Sequence, residues 1–388
     1  MNTVRVNKRG ADRVRQGHLW IYRSDVIGVA AEGGNVVSVQ DERGNPIGQA
    51  LFSDTSQIAL RFLTQGSETI DRDWWRCRIR EAAARRHIPS DTNAYRVIYS
   101  EGDLLPSLIV DRYDEVLVLQ TLSQGTDALK PLLTEILIEE FQPHALIERN
   151  DARVRELEGL PLISGTVYGE PPAELEILQH GLRFRVAPLG GQKTGSFLDQ
   201  RENRLAARAA AQTTNKIRAL DCFTFNGAFA LHLATVCEQV IGIDISADAV
   251  AAARRNAEIN ALDNVEFREA NVFDALRELE AAGERFDVIV LDPPAFAKNR
   301  ASVKAAIRGY KEINLRALKL LNANGVLITC TCSYHVPEEL FLEIVAQAAI
   351  DARRRVQVVE KRMQASDHPV LVGMPETYYL KCVIARVI

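Results

Sequence analysis

The sequence predicts an α/β protein whose C-terminal half is a parallel sheet with helices on both faces, preceded by a β-rich module and a small mixed α/β region. Three observations carry this. From about residue 186 onward the apolar runs IRALDCF, VIGID, VEFREA, DVIVLD and GVLITCT alternate with helical stretches, which is the rhythm of βαβ units. Residues 1–69 instead hold short alternating runs such as NVVSVQD and SQIALRFL, broken by Gly and Asn turns. At 388 residues the chain also exceeds what one hydrophobic core organises, so two or three domains are expected.

The reading by segment is a β-rich domain over 1–69, a middle α/β domain over 70–185 and a sustained βαβ domain over 186–388. The middle region opens on a basic helix with Trp74 and Trp75. It continues through strands at YRVIYS, SLIVDRY and EVLVLQTL, a helix over roughly 127–141 and a strand at ALIERN. Hydrophobic residues at 47% and charged residues at 25% are those of an ordinary globular protein and exclude disordered and fibrous classes. The start, MNTVRVNKRGADRV, lacks the apolar stretch of a signal peptide, and no apolar run reaches the ~18 residues of a membrane span. A cytoplasmic protein is expected. The six cysteines, with close spacing only between Cys330 and Cys332, form neither a disulfide framework nor a zinc pattern.

Net charge is −4, yet the basic residues cluster. Residues 1–23 hold six (Arg5, Lys8, Arg9, Arg13, Arg15, Arg23) against Asp12, and residues 72–86 hold six (Arg72, Arg76, Arg78, Arg80, Arg85, Arg86) against Asp73 and Glu81. Such clusters read either as a surface that tracks phosphates or as solvated helix faces.

In an open parallel sheet the ligand lies beyond the C-terminal strand ends, near the point where strand order reverses. Four successive strand ends offer a polar group there. The first is Asp221, ahead of a turn through Phe223 to Gly227. The second is Asp244, about twenty residues on, where a carboxylate can accept from two ribose hydroxyls. The third leads to Asn271, and the fourth runs into Asp292, Pro293 and Pro294. Gly227 stands alone where a dinucleotide fingerprint has three glycines, so nicotinamide binding is disfavoured. The two prolines fix a rigid loop able to present a planar base. In GVLITCTCSYH, Cys330 and Cys332 share an orientation, and Cys332 lies nearer the crevice; the next helix begins near Pro337 with Glu338 and Glu339 in its first turn. A thiolate there can add to carbon 6 of a pyrimidine and activate carbon 5, whereas the bland reading is a small hydrophobe at a strand end. Upstream, LGGQKTGSFLDQRENRLAARAAA reads as a flap carrying Lys193 and Arg201, with Asp199 and Glu202 spaced like a capping box.

GQKTGSFLDQR, LDCFTFNGAF, LDPPAFAK, RGYKEIN and TCTCSYH, in this order, resemble the bacterial PUA-containing methyltransferases that make 5-methylcytosine in 23S ribosomal RNA, and NKRGADRVRQGHLWIYRSDV resembles the entry to their RNA-binding PUA domain. The resemblance spans nearly the whole chain. It implies a Rossmann-like, seven-stranded class I methyltransferase domain using S-adenosyl-L-methionine, with Cys332 as nucleophile and Asp292 beside the target base. The cofactor pocket it implies comprises Asp221, Phe223, Thr224, Asn226, Gly227, Asp244, Ile245, Asn271 and Val272, joined by Asp292, Lys193, Gly195 and Arg201. Pro293, Pro294 and Phe296 would meet the base, and Lys8, Arg9, Arg13 and Arg15 the RNA phosphates. The implied partner is 23S ribosomal RNA or a large-subunit precursor, without a membrane, and a homodimer is a further possibility. Relatives often carry Asp where this chain has Asn271, and no cysteine lies in the Asp292 loop, so the proton-abstracting base is left unassigned. The alternatives are guanine nitrogen methylation within the same family and a non-catalytic assembly factor.

Overall fold

The structure, a computed structural model, describes residues 2–190, 196–215, 217–297 and 299–388. The chain divides into two compact units: residues 1–178, 186–198 and 366–377 form one, and 179–185, 199–365 and 378–388 the other.

The first unit holds two sheets. β1 (Thr3–Val6), α1 (Lys8–Arg15), β2 (Trp20–Tyr22), β3 (Val26–Ala30), β4 (Val36–Gln40), β5 (Pro46–Phe52) and β6 (Ile58–Thr64) build a six-stranded sheet ordered β2-β6-β5-β4-β1-β3. Its core packs Val4, Val6, Val39, Phe52, Leu60 and Phe62 against Ala11 and Val14 of α1. That helix, not named in the β-rich reading of this segment, starts where the Asn7 side chain accepts from Gly10 N at 2.9 Å. Next come α2 (Arg72–Ala84), β7 (Ala94–Tyr99), β8 (Leu108–Tyr113), β9 (Val116–Thr121), α3 (Gln124–Ala128), α4 (Lys130–Phe141), β10 (Ala145–Asn150) and β11 (Ile163–Gly169). Their strands order as β11-β10-β9-β8-β7, with Trp75, Ile79, Leu133, Ile136 and Leu137 covering one face.

The basic run of α2 has a structural destination. Arg72 meets Glu135 and Glu139 at 2.7 and 2.6 Å, Arg76 meets Glu139 at 2.6 Å, and Arg80 meets Glu140 at 2.5 Å, so α2 is zipped to α4 by charge. Arg86 pairs with the buried Asp103, and Arg78 and Arg85 pair with Glu81. Of the two readings left open for this cluster, the structure favours the balanced helix face: the partners of Arg72, Arg76 and Arg80 on α4 sit about sixty residues downstream, where local charge counting does not reach.

β12 (Leu175–Gln179) and β13 (Leu182–Val186) follow along the chain. In the second unit the chain runs α5 (Arg201–Ala211), β14 (Arg218–Cys222), α6 (Ala228–Ala234), β15 (Gln239–Asp244), α7 (Ala247–Ile259), β16 (Val265–Glu269), α8 (Val272–Ala281), β17 (Phe286–Leu291), α9 (Val303–Leu320), β18 (Leu321–Thr331), α10 (Glu338–Asp351), β19 (Val356–Arg362) and β20 (Lys381–Val387). The sheet order is β16-β15-β14-β17-β18-β20-β19, seven strands among the described residues. β14 to β18 are parallel, and the last two strands, which the sequence runs alone did not reveal, join antiparallel. β17 (FDVIVL) is buried at every position, as a central strand between two helical layers must be. Strand order reverses between β14 and β17, which fixes the crevice at their C-terminal ends.

One local expectation fails. Asp199 and Glu202 do not form a capping box; α5 has Gln200 at its N-cap with no side-chain cap bond, because the Asp199 carboxylate instead accepts from Tyr379 Oη at 2.6 Å.

Candidate active site

The reversal point gathers the ends of β14, β15, β17 and β18. Asp221, the penultimate residue of β14, is fully buried. Its Oδ2 accepts from Thr224 Oγ1 at 2.6 Å and Ala230 N at 2.9 Å, while Oδ1 has no partner among the described residues. Burial, with Asp292 and Asp244 as neighbouring negative charges, pushes its pKa up to about 7. The loop that follows is bent by three left-handed residues, Phe223 (φ 64°), Phe225 (φ 50°) and Gly227 (φ 84°). Non-glycine residues rarely take this conformation, and where they do a site is commonly being shaped. A Cβ on Gly227 would lie 2.9 Å from Phe267 and 3.1 Å from Ala253.

The bend delivers the Phe225 amide to Asp244 Oδ2, and Ser246 N bonds Oδ1, both at 2.9 Å. Each oxygen of this half-buried carboxylate spends one lone pair on the backbone and keeps another for a hydroxyl. Beside it Ile245 is 68% exposed, an apolar surface for a ring to lie on. Asn271 caps α8 by accepting from Phe273 N at 2.9 Å, which spends its oxygen and leaves its amide donors. A vicinal-diol acceptor, an apolar shelf and an amide donor in sequence form a donor set that fits an adenosine. The side chains of Thr224 and Val272 point into the interior, and Asn226 is 6% exposed with its carbonyl bonded by Asn256 Nδ2 at 3.0 Å.

On the other side of the reversal, Gln200 Nε2 donates to Asp292 Oδ1 at 2.7 Å. Pro293 is buried and Pro294 exposed. Phe296 packs on Tyr310 at 4.6 Å between ring centroids, with Phe273 at 6.0 Å and Phe223 at 6.4 Å. Arg201 and Arg204 are buried at 1% and 3% exposure; burial pulls Arg204 down to about 10 while Asp292, Asp199 and Asp221 act to hold it charged. Lys193 and Gly195 lie outside the described residues.

The two cysteines at the end of β18 differ sharply. Cys330 is fully buried, faces Cys382 across the ladder and is held well above the ordinary thiol range by that sulfur and by burial. Cys332 is half-buried, just past the strand end. Its neighbours on both sides are anchored. Thr331 Oγ1 donates to Tyr310 Oη at 2.8 Å, Ser333 Oγ lies 2.9 Å from Tyr310 Oη, and Ser333 Oγ accepts from Ala297 N at 3.1 Å. This hydroxyl network ties the cysteine-bearing turn to the loop that carries Asp292. Sequence reasoning missed Gln200, Thr331, Ser333 and Lys381 as site residues, and placed Tyr310 only within the RGYKEIN run. The available signals were a lone lysine inside the apolar strand YYLKCVIARV and the hydroxyls flanking Cys332.

Fold and strand ends together define a methyltransferase of the kind that draws on S-adenosylmethionine. Family models match a PUA-like domain over residues 4–65 and a methyltransferase domain over 213–368. The chain is 39% identical over 397 residues to the ribosomal RNA large subunit methyltransferase I of Tolumonas auensis, covering 100% of this chain and 99% of that one. It is 41% identical over 380 residues to that of Shewanella amazonensis, covering 95% of each. It belongs to the ribosomal RNA large subunit methyltransferase I family. Among solved structures, a SAM-dependent methyltransferase from Streptococcus mutans superposes with a TM-score of 0.85 at 19% identity, covering 100% of both chains, and a methyltransferase complexed with SAH reaches 0.86 at 19% with the same coverage, which establishes the shared fold.

Proposed function

We propose that this protein methylates carbon 5 of a cytosine in large-subunit (23S) ribosomal RNA through a covalent adduct on Cys332. The observation that carries the reading is the half-buried Cys332 at the end of β18, next to the strand end that bears Asp292. The names of the curated relatives supply the ribosomal RNA.

When bound, S-adenosylmethionine supplies an electrophilic methyl group on its sulfonium. Asp244 would hold the ribose hydroxyls, Ile245 and Asn271 the adenine. Asp292, fixed by Gln200, would accept from the exocyclic amine of the cytosine, with Pro293 and Pro294 keeping the loop rigid beside a base taken out of its stack. The Cys332 sulfur adds to carbon 6, and the ring's electrons make carbon 5 nucleophilic. After methylation, loss of the carbon 5 proton restores the double bond and expels the thiolate.

Among the described residues no helix is long and apolar enough to cross a membrane. Lys8, Arg9 and Arg15 are exposed on α1, where Arg9 meets Asp25 at 2.5 Å and Arg15 meets Asp12 at 3.0 Å; they would exchange these partners for phosphates. Arg13 lies 4.6 Å over Tyr22 and serves that packing as well. A homodimer would have the edge strand β19 to use, on which Val358 and Val359 are 44% and 57% exposed.

RNA bearing 5-fluorocytidine tests the mechanism, because fluorine cannot leave as a proton and the adduct persists. A protein–RNA adduct mapped to Cys332 and absent from Cys332→Ala is expected; methyl transfer at the full rate by Cys332→Ala overturns the reading.

A further inference from the structure

Lys381 is the first residue of β20, directly across the ladder from Thr331, the residue before Cys332. It is 3% exposed. A buried ammonium needs compensation, normally a carboxylate, yet no carboxylate of the described residues pairs with this one. Among the described residues its Nζ donates to main-chain carbonyls, of Tyr379 at 3.2 Å and Ser333 at 3.5 Å, and stands 5.3 Å over the Tyr378 ring. Ser333 is the residue after Cys332, so the ammonium is bonded to the very turn that presents the thiol. Tyr378, the residue that would shield Lys381 from Glu338, instead donates to that carboxylate at 2.9 Å, and Lys361 pairs with it from β19.

We propose that Lys381 is the counter-ion of the Cys332 thiolate, a positioning residue that keeps the nucleophile ionised before RNA binds and receives it again when the adduct collapses. This rests on the covalent reading above and adds to it the group that makes the sulfur reactive. The electrostatics agree: burial pulls the ammonium of Lys381 below its ordinary pKa, while Cys332 and then Glu338 pull it back up. The other groups that bear on the turn are Tyr310 of α9, which burial holds above the ordinary phenol range with the charge of Cys332 adding to the shift, and Asp292 after β17, whose charge reaches Cys330. Both tyrosines stay neutral near pH 7. Lys381 is a buried cation bonded directly to the turn that carries Cys332. Without it, the half-buried setting favours the neutral thiol.

The test is alkylation of Cys332 by iodoacetamide, followed against pH by peptide mass spectrometry on the full-length protein without RNA. In the wild type the reaction should turn on below the ~8.5 of an ordinary thiol. Lys381→Met should slow it about tenfold at pH 7 and move the midpoint upward, with cofactor affinity unchanged, and Lys381→Arg should restore most of the rate. Methyl transfer by Lys381→Met should fall in kcat rather than in KM and recover as pH is raised. A wild-type midpoint at or above ~8.5 overturns the proposal without recourse to any variant. So does a Lys381→Met profile that superimposes on the wild type. Because alkylation needs no substrate, a normal Lys381 effect beside an active Cys332→Ala enzyme would refute the covalent reading and leave the ion pair standing.

Discussion

Asp221 offers a quantitative test of how the strand-end site is built. Its carboxyl is raised from 3.8 to about 7, chiefly by burial, so the folded state favours the protonated form. A carboxyl raised on folding contributes stability that is complete below its unfolded pKa and is lost as pH climbs through the folded one. At ~1.4 kcal/mol per pH unit the interval amounts to ~4 kcal/mol, of which ~3 falls between pH 5 and pH 8.5. This is an upper bound, because the guanidinium of Arg204 counts Asp221 among its nearby charges and offsets part of the cost. Asp221→Asn removes the titration and keeps shape. The amide oxygen can still accept from Thr224 and Ala230, while its NH2, in the place of the unpartnered Oδ1, costs ~1–3 kcal/mol at every pH. Urea unfolding of the cofactor-free proteins should show the wild type losing up to ~3 kcal/mol relative to the variant from pH 5 to pH 8.5. Parallel stability curves for the two proteins would refute the claim that a buried, protonated Asp221 underlies the site.

Gly227→Ala forces a side chain into a left-handed position with Phe267 at 2.9 Å, and should cost about 2 kcal/mol and weaken cofactor binding; calorimetry showing wild-type stability and affinity would contradict the packing argument. Lys8→Ala with Arg15→Ala should lower RNA affinity and flatten its salt dependence, as measured by filter binding, whereas Arg72→Ala with Arg80→Ala should change neither, since those guanidinium groups already face Glu135, Glu139 and Glu140. Equal losses from both pairs would mean that α2 is part of the RNA surface after all. Gln200→Ala should reduce kcat about tenfold, because Asp292 loses the donor that aims it, with little change in cofactor affinity measured by titration calorimetry.

The parts of the molecule that were legible in the sequence are those whose signals are local. The apolar runs of β14, β15, β17 and β18 announced a parallel sheet, and because such a sheet binds at its carboxyl ends, Asp221, Asp244, Asp292 and Cys332 could be named from their place in the runs. What the sequence hid depends on contacts distant along the chain. Asp199 looked like a cap until Tyr379, 180 residues later, claimed its carboxylate. The arginines of α2 could be read as a phosphate track or as a balanced helix face, and only α4, about sixty residues on, supplies the partners that favour the second. Lys381 carried no reading from the sequence, and it is the pairing of β20 with β18 that brings it beside the turn of Cys332. The short helix α1 escaped because it is only eight residues long and carries the helix-weakening Gly10; that glycine sits where a Cβ would meet Asp25 and Ile21 at 3.1 and 3.2 Å.

The most direct test of the account is incubation of the purified protein with labelled S-adenosylmethionine and undermethylated ribosomal RNA, followed by nucleoside analysis. Label in 5-methylcytidine is the predicted result, and label in a methylated guanosine, or none at all, would contradict it.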